Sequence, residues 1–405
     1  MWSTIGIIAA FLAIIVLVIK HVMLGYALLI GSAIAGLSSG LGLRALLSVS
    51  LKSLTAPGTV TLLVTLVLIS ILGSLMKQLG VLDKMVDALQ KVLRNAKLTI
   101  LFIPSIMGTL MVTGGAMMAA PMVDSLGERL RLGNDHRAAI NLLYRHAWYF
   151  VFPFAPTFIL VKEIANVPIN RLILIQAPLT IVAVWAGYHA WLRQVRDENP
   201  RPAPPTRGDY LDLLRYTSPI WSSLLLALVG GVPFQLALVL GVALALFYGK
   251  ADPRQIPLLL WKGIQWPVVL SGVSIMIFKD VLAAAGTLNS VTDGLLNIGL
   301  PLEMIVILLP ALVGLVSASA TSSIGITLPL LLPALQQSGH LTLFCAAAYA
   351  AAYLGYYASP LHLCQVLTLE FFDVKLDRLY RAYALPVPAM WLTLIGIVVV
   401  GRWIW

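Results

Sequence analysis

Apolar runs separated by short polar breaks recur along the whole chain. In the first half they cover residues 2–19, 22–39, 58–79 and 171–191. Each run approaches the roughly 20 residues with which an apolar helix crosses a bilayer. Membrane barrels instead show strands of about ten residues with alternating polarity, and that alternation is absent here. The pattern therefore predicts an all-α polytopic membrane protein.

Two stretches of the first half interrupt this series of spans. The apolar arms on either side of Thr113, Gly114 and Gly115 have up to about fifteen residues, too few to cross the hydrocarbon. We therefore predict a re-entrant hairpin over about 98–128, with one long kinked helix as the alternative. The next span, over about 138–162, contains prolines, which interrupt helix hydrogen bonding. It is predicted to be a broken helix.

The second half of the chain repeats these features in order. A charged, proline-rich linker over 193–215 separates a first repeat, 1–192, from a second, 216–405. A second hairpin is predicted over about 304–336 and a second broken helix over about 342–368. Identical residues recur at a spacing of 210 and then of 206, among them Gly31/Gly241, Gly80/Gly286, Pro104/Pro310 and Gly108/Gly314. Five crossings and one hairpin per half predict two inverted-topology repeats, about ten transmembrane helices and two re-entrant hairpins.

Composition agrees with a lipid environment. Hydrophobic residues make up 60% of the 405, charged residues 11%, and mean hydropathy is +0.93; soluble domains carry about 25% charged residues. The net charge of +10 is explained by basic cytoplasmic loops, and no basic stripe suggests nucleic-acid binding. With the linker in the cytoplasm and both termini outside, most Lys and Arg fall inside. We expect a multi-pass protein of the cytoplasmic (inner) membrane, whose first run is a retained span and not a signal peptide.

Inverted repeats with interrupted helices are typical of secondary transporters. A helix that restarts at a hairpin tip presents free N–H groups and a partial positive charge, which favour an anion. For each small residue alone, close helix packing is the alternative explanation. The candidate substrate- or ion-binding residues, at the two tips and the two breaks, are Thr113, Gly114, Gly115, Ser317, Ser319, Thr321, Ser322, Ser323, Pro153, Pro156, Ser359 and Pro360.

Four ionisable residues lie in or near these spans and are candidates for a charge or proton role. Arg145 can attract a substrate carboxylate or extend to the interface by snorkelling. His146 adjoins it. Asp124 can carry a proton, although a structural ion pair is favoured. His362 is the best placed group to titrate near neutral pH, with a satisfied polar side chain as the alternative.

Other chemistry finds little support in the sequence. Cys345 and Cys364 both fall in apolar spans and suggest neither a disulfide framework nor a metal site. No HExxH or GxSxG motif is present, so an intramembrane enzyme is not expected. A passive channel is disfavoured by hairpins in inverted halves. No cofactor is expected, apart from Na⁺ as a candidate coupling ion.

The segments MVTGGAMMAAPMVD (111–124) and YRHAWYFVFP (144–153) resemble an uncharacterised family of ten-span proteins. The overall pattern resembles the ion transporter superfamily, to which that family belongs and which includes gluconate permeases, citrate carriers and sodium-coupled dicarboxylate symporters. The resemblance implies opposing hairpin tips that hold substrate and ion, a scaffold from the first spans of each repeat, homodimers and elevator-like movement. Dicarboxylate members carry Ser-Asn-Thr at each tip, and its absence here argues against dicarboxylate specificity and sodium coupling.

Together these features predict a secondary active transporter for a small, carboxylate-type organic anion, coupled to Na⁺ or H⁺. Its partners would be the substrate, the lipid bilayer and a second copy of the chain. The alternative within transport is a carrier or exporter of an amphiphilic or lipid-linked anion, which a lateral opening between scaffold and hairpins would favour.

Overall fold

The structure, a computed structural model, describes residues 2–109, 115–197, 203–286 and 299–404, and within them every regular element is a helix. The first half contains α1 (Trp2–Ile19), α2 (Leu24–Ser38), α3 (Leu43–Thr55), α4 (Pro57–Gln78), α5 (Val81–Leu93), α6 (Ala96–Thr109), α7 (Gly115–Arg129), α8 (Asn134–Ala147), α9 (Pro156–Ala165) and α10 (Ile169–Trp191). The second contains α11 (Arg207–Leu228), α12 (Phe234–Tyr248), α13 (Ile256–Gly263), α14 (Trp266–Ala284), α15 (Leu302–Ser317), α16 (Ala320–Gln337), α17 (Leu341–Ala358), α18 (Leu363–Phe372), α19 (Leu376–Ala382) and α20 (Pro386–Gly401).

The helices form two groups, each drawn from both halves of the chain. The scaffold group contains α1–α5 and α11–α14, and the hairpin group contains α6–α10 and α15–α20. Within the scaffold group the halves interlock, because α2 packs on α14 while α4 packs on α12 and α13. Within the hairpin group, α10 packs on α20 and α8 on α18. The groups meet where α4 and α14 contact α9, where α14 contacts α16, and where α5 contacts α6.

Equivalent pairs of helices recur in the two halves. The pair α6–α8 corresponds to α15–α17, and α7–α18 corresponds to α16–α9. Backbone details recur as well, since Gly80 and Gly286, 206 positions apart, both have φ of +65°. A side chain is disfavoured there by the left-handed conformation. The membrane orientation of the two halves stays a prediction.

Several helices are long and apolar enough to cross a membrane. Among the described residues these are Pro57–Gln78, Ile169–Trp191, Trp266–Ala284 and the interrupted stretch Leu341–Phe372, with a fifth if Leu376–Ala382 and Pro386–Gly401, bent by 55°, form one span. The protein is therefore an all-α polytopic membrane protein. Four further apolar helices of the described part, α2, α6, α12 and α15, have only 14–16 residues, and a 15-residue helix rises about 22 Å against roughly 30 Å of hydrocarbon. The count of ten crossings stays a prediction.

A helix begins inside the stretch predicted as a charged linker, 193–215. Helix α11 begins at Arg207, because Thr206 caps it: the Asp209 amide donates to the Thr206 hydroxyl oxygen, and the Asp209 carboxylate accepts from the Thr206 amide. Such a reciprocal box satisfies two N–H groups that the first helical turn leaves unpaired. The helix then packs on α5, where Lys91 lies 3.8 Å from Asp209.

This cap is expected to weaken in acid. Hydrogen bonds from the Thr206 hydroxyl and amide lower the pKa of the Asp209 carboxyl, with a smaller contribution from Lys91. A lowered native pKa stabilises the helix end above the ordinary carboxyl pKa, and the contribution is lost as pH falls through the lowered value. We expect amide hydrogen exchange at the start of α11 to become severalfold faster, after correction for intrinsic rates, between pH 6 and pH 3. An Asp209→Asn variant should lose this pH dependence.

Glycines bring two helix pairs of the hairpin group into backbone contact. A Cβ added to Gly108 on α6 would lie 2.0 Å from the Arg145 carbonyl oxygen, and one added to Gly314 on α15 would lie 2.3 Å from that of Ala352. Because the two glycines are 206 positions apart and their partners 207, the same close approach is made in each half. Close helix packing therefore explains why glycine occurs at both positions. This is the alternative that the sequence left open for small residues.

Candidate functional site

A cavity of about 300 Å³ lies between the scaffold and hairpin groups. The scaffold side is formed by α2, α4 and α14, and the hairpin side by the starts of α9 and α16. Its lining residues carry no charge: Leu24, Leu62, Leu66, Pro156, Leu160, Gln265, Pro267, Val268, Ser271, Gly272, Ile275, Ser319, Thr321 and Ser322. The polar side chains come from the second hairpin tip and from the start of α14.

Two helix N-termini meet at this cavity. Helix α9 begins at Pro156, where the missing N–H costs no intrahelical hydrogen bond. Helix α16 begins after its N-cap, Ser319. In their first turns, Thr157 Oγ1 and Thr321 Oγ1 are 2.6 Å apart and hydrogen bonded. Each N-terminus carries a partial positive charge, so their approach is favoured by an anion between or beside them.

The second hairpin tip is held by its own hydroxyls. The Ser319 hydroxyl accepts from the Ser322 amide at 3.1 Å, and the Ser323 hydroxyl donates to the Pro310 carbonyl on the opposite arm at 2.6 Å. The Ser317 hydroxyl donates to the Val313 carbonyl at 2.6 Å, within its own helix. Of the five predicted tip residues, Ser319, Thr321 and Ser322 line the cavity, whereas Ser317 and Ser323 have structural bonds.

At the first hairpin tip, Thr113 and Gly114 lie outside the described residues, and Gly115 is the first residue of α7. Helix α7 packs on α18, as α16 packs on α9. In that second break, the Ser359 hydroxyl accepts from the Leu361 amide at 3.3 Å. Pro360 lies in the turn between α17 and α18, and Pro153 lies in the equivalent connection between α8 and α9.

Arg145 lies inside the hairpin group. The residue is 4% exposed, and its Nη1 donates to the Met107 carbonyl at 3.3 Å. Met107 is in the last turn of α6, whose final carbonyls have no intrahelical donor and carry partial negative charge. The guanidinium therefore stabilises the end of the first hairpin arm, and the snorkelling alternative is excluded by burial. It is not among the residues that line the 300 Å³ cavity.

A cluster of titratable side chains surrounds Arg145. His146 and His362, from different halves of the chain, are 98% and 99% buried, with ring centroids 4.9 Å apart. One ring nitrogen of each histidine and the Cys364 sulfur lie within 4.8 Å of one another. The Tyr356 and His362 rings are in contact, with centroids 4.0 Å apart and planes tilted by 43°. A cysteine beside two histidines was not predicted, because Cys364 lies 218 positions after His146 in the chain.

Asp124 has an ionic partner. Its carboxylate accepts from Arg137 Nη1 at 2.8 Å, and Glu128 lies 3.6 Å from the same nitrogen. This ion pair joins α7 to α8 and corresponds to the structural pairing favoured for Asp124.

Several wall residues were missed by sequence reasoning. Thr157, which is bonded to the wall residue Thr321 without lining the cavity itself, was missed as well. It follows the predicted break proline directly, and its position in a first helical turn was the available signal. Gln265 and Ser271 sit at the start of α14, where no local pattern distinguishes them from other span residues. A second, strongly apolar cavity of about 460 Å³ also lies between the groups, formed by α5, α6, α11 and the connection after α8.

Comparisons place the chain among known proteins. A crystal structure of the YdaH transporter of Alcanivorax borkumensis is similar with a TM-score of 0.63 and 15% sequence identity, covering 90% of this chain and 89% of that one. This likeness shows a shared fold. A comparison with curated protein sequences gives no match. A family model matches residues 4–401, so the chain belongs to the family described as "Protein of unknown function (DUF401)".

Proposed function

We propose that this protein is a secondary active transporter for a small organic anion of the carboxylate type, driven by Na⁺ or H⁺. The observation that supports it most is the pair of helix N-termini, from α9 and α16, that meet at a cavity with hydroxyl groups and no acidic side chain. First-turn N–H groups and hydroxyls are suitable ligands for a carboxylate. Similarity in fold to a transporter is consistent with this assignment.

The cavity wall further favours an anion with an apolar body. Leu62, Leu66 and Ile275 on the scaffold side and Leu160 on the hairpin side are apolar, and no basic side chain lines the cavity to neutralise a second carboxylate. A monocarboxylate would place its charge at the two helix N-termini and its apolar part against these side chains. Octanoate is therefore a suitable probe, and succinate a suitable counter-probe.

Movement between the two helix groups would provide alternating access. The cavity has one wall on the scaffold group and one on the hairpin group, so displacement of one group carries part of the site with it. In this elevator-type scheme the halves are inverted in the cytoplasmic membrane, with both termini outside. A homodimer would anchor the scaffold groups.

Removing both threonine hydroxyls tests this assignment. The double variant Thr157→Val, Thr321→Val removes both partners of this hydrogen bond at once. No hydroxyl is left without a partner, so stability should change little. Because the two hydroxyls are bonded to each other and share one donated hydrogen, binding loses at least one hydrogen bond to a charged group, worth about 1.5–3 kcal/mol. We expect octanoate uptake into proteoliposomes to fall at least tenfold, with the melting temperature within a few degrees of wild type.

The matched control is Thr393→Val, since the Thr393 hydroxyl donates only to the Ala389 carbonyl of its own helix. This variant should transport as wild type does. Wild-type uptake rates in the double variant would contradict the assignment of this cavity, and succinate uptake in preference to octanoate would contradict the monocarboxylate assignment.

The 460 Å³ cavity favours a second candidate, transport of an amphiphilic anion. It is lined by apolar residues such as Phe102, Phe152 and Leu214, and by Trp221, which is 57% exposed on the outer surface. Its residues on α11 run from Tyr210 to Trp221, about 16 Å of helix. Such a groove, open to lipid and placed between the groups, suits an acyl chain. Transport of dodecyl phosphate without transport of octanoate would favour this candidate.

A further inference from the structure

The cluster of His146, His362 and Cys364 has the donor set of a metal site. The three donor atoms lie within 4.8 Å of one another. Bonds of about 2.0–2.3 Å to nitrogen and sulfur put the donors of a three-coordinate site about 3.6 Å apart. Closing the cluster onto an ion therefore requires movements of about 1 Å, which side-chain rotation can supply.

The imidazole of His146 is arranged as that of a metal ligand usually is, and the imidazole of His362 has unsatisfied nitrogens. Nδ1 of His146 is 2.7 Å from the Leu142 carbonyl oxygen, which assigns the proton to Nδ1 and leaves the Nε2 lone pair for an ion. Neither nitrogen of His362 has a hydrogen-bond partner of standard geometry, although the ring is 99% buried and lies near the Tyr357 backbone. An unsatisfied buried imidazole is costly, and metal coordination would satisfy it.

Charge decides between the ions that such donors bind. The titratable groups that interact electrostatically with the three side chains are Arg145, Tyr149, Tyr353 and Tyr356, none of them a carboxylate. A divalent ion with one thiolate would leave a net positive charge beside the Arg145 guanidinium, in a setting where buried charge is expensive. A monovalent ion with one thiolate is neutral. Thiolate and imidazole donors suit monovalent copper.

We propose that His146, His362 and Cys364 form a binding site for a monovalent, thiophilic metal ion of the copper(I) class. The ion would join α8 of the first half to the second break, between α17 and α18, inside the hairpin group. The site is separate from the 300 Å³ cavity, and its existence does not depend on the anion assignment.

Silver(I) is the probe, because it has the charge and softness of copper(I) without its redox chemistry. The full-length protein, purified in detergent, is incubated with Ag⁺ or Zn²⁺ and a competing thiol ligand, desalted and analysed for bound metal. We expect about one Ag⁺ per wild-type chain and the same for Cys345→Ser, which keeps Cys364 as the remaining one of two cysteines. Cys364→Ser should lose the bound ion, and His146→Gln and His362→Gln should weaken retention at least tenfold. His21→Gln, at an exposed position, should not.

A second measurement keeps the test decisive if Cys364→Ser does not fold. In the Cys345→Ser protein, the rate of maleimide labelling reports on Cys364 directly, and Ag⁺ should slow it far more than in the same protein carrying His362→Gln. Ag⁺ retention by folded Cys364→Ser equal to wild type, or protection independent of both histidines, would overturn the proposal. Tighter retention of Zn²⁺ than of Ag⁺ would overturn the monovalent assignment.

Discussion

Substitution of Gly355 by leucine is expected to prevent recovery of folded protein. A Cβ at Gly355 on α17 would lie 2.0 Å from the Ala311 carbonyl oxygen and 2.9 Å from its Cα. Both atoms belong to the backbone of α15, so the helices must separate. Overpacking of this kind costs about 1–3 kcal/mol for small intrusions, and a whole leucine side chain between two backbones exceeds that range against total stabilities of about 5–15 kcal/mol.

Size-exclusion chromatography and thermal unfolding in detergent measure this effect. Gly355→Ala should unfold at a clearly lower temperature, and Gly355→Leu should give little monodisperse protein. The control is Gly396→Leu on α20, where an added Cβ meets no atom within 4 Å and a larger side chain extends outward. Equal yield and melting temperature for Gly355→Leu and Gly396→Leu would show that α15 and α17 do not pack in this way.

Substitution of Arg145 by methionine is expected to abolish transport with a small change in stability. Two effects on stability oppose each other. The Met107 carbonyl loses a donor, which costs about 1–3 kcal/mol, whereas removal of a buried charge in favour of an apolar side chain is often neutral or stabilising. The end of α6, which leads into the first hairpin tip, loses the group that holds it. We expect at least a tenfold loss of octanoate uptake in proteoliposomes.

Lysine at the same position keeps the charge but not the planar set of donors, so Arg145→Lys should retain intermediate activity. Arg171→Met is the matched control, because Arg171 is exposed at the start of α10. Normal transport by Arg145→Met would show that transport requires neither the Arg145 charge nor its hydrogen bond to the end of α6.

Local features of the sequence predicted much of the fold. Pro153 and Pro156 marked a break because proline interrupts helix hydrogen bonding wherever it occurs, and α9 does begin at Pro156. Helix α11 begins inside the predicted linker because a capping box can start a helix among charged residues, and Thr206 provides one. In both places the outcome depended on interactions over a few residues.

Contacts between residues distant in the sequence were harder to predict. Ser319 and Thr321 were predicted from the chemistry of a helix start, but the partner of Thr321 is Thr157, 164 positions away. The proximity of His146 to Cys364 likewise depends on how α8 packs on α18. No periodicity in one sequence encodes such a crossing. What the sequence could supply was the type of side chain at each break.

The interlocked scaffold has a consequence for biosynthesis. When a ribosome has completed residue 192, α2 and α4 are present, but α14, α12 and α13, on which they pack, have not been made. Until then, the packing surfaces of α2 and α4 must be covered by lipid or by an insertion factor. The scaffold group can be completed only after the second half has been synthesised. In a chain truncated after the first half, α2 and α4 would lack the helices on which they pack.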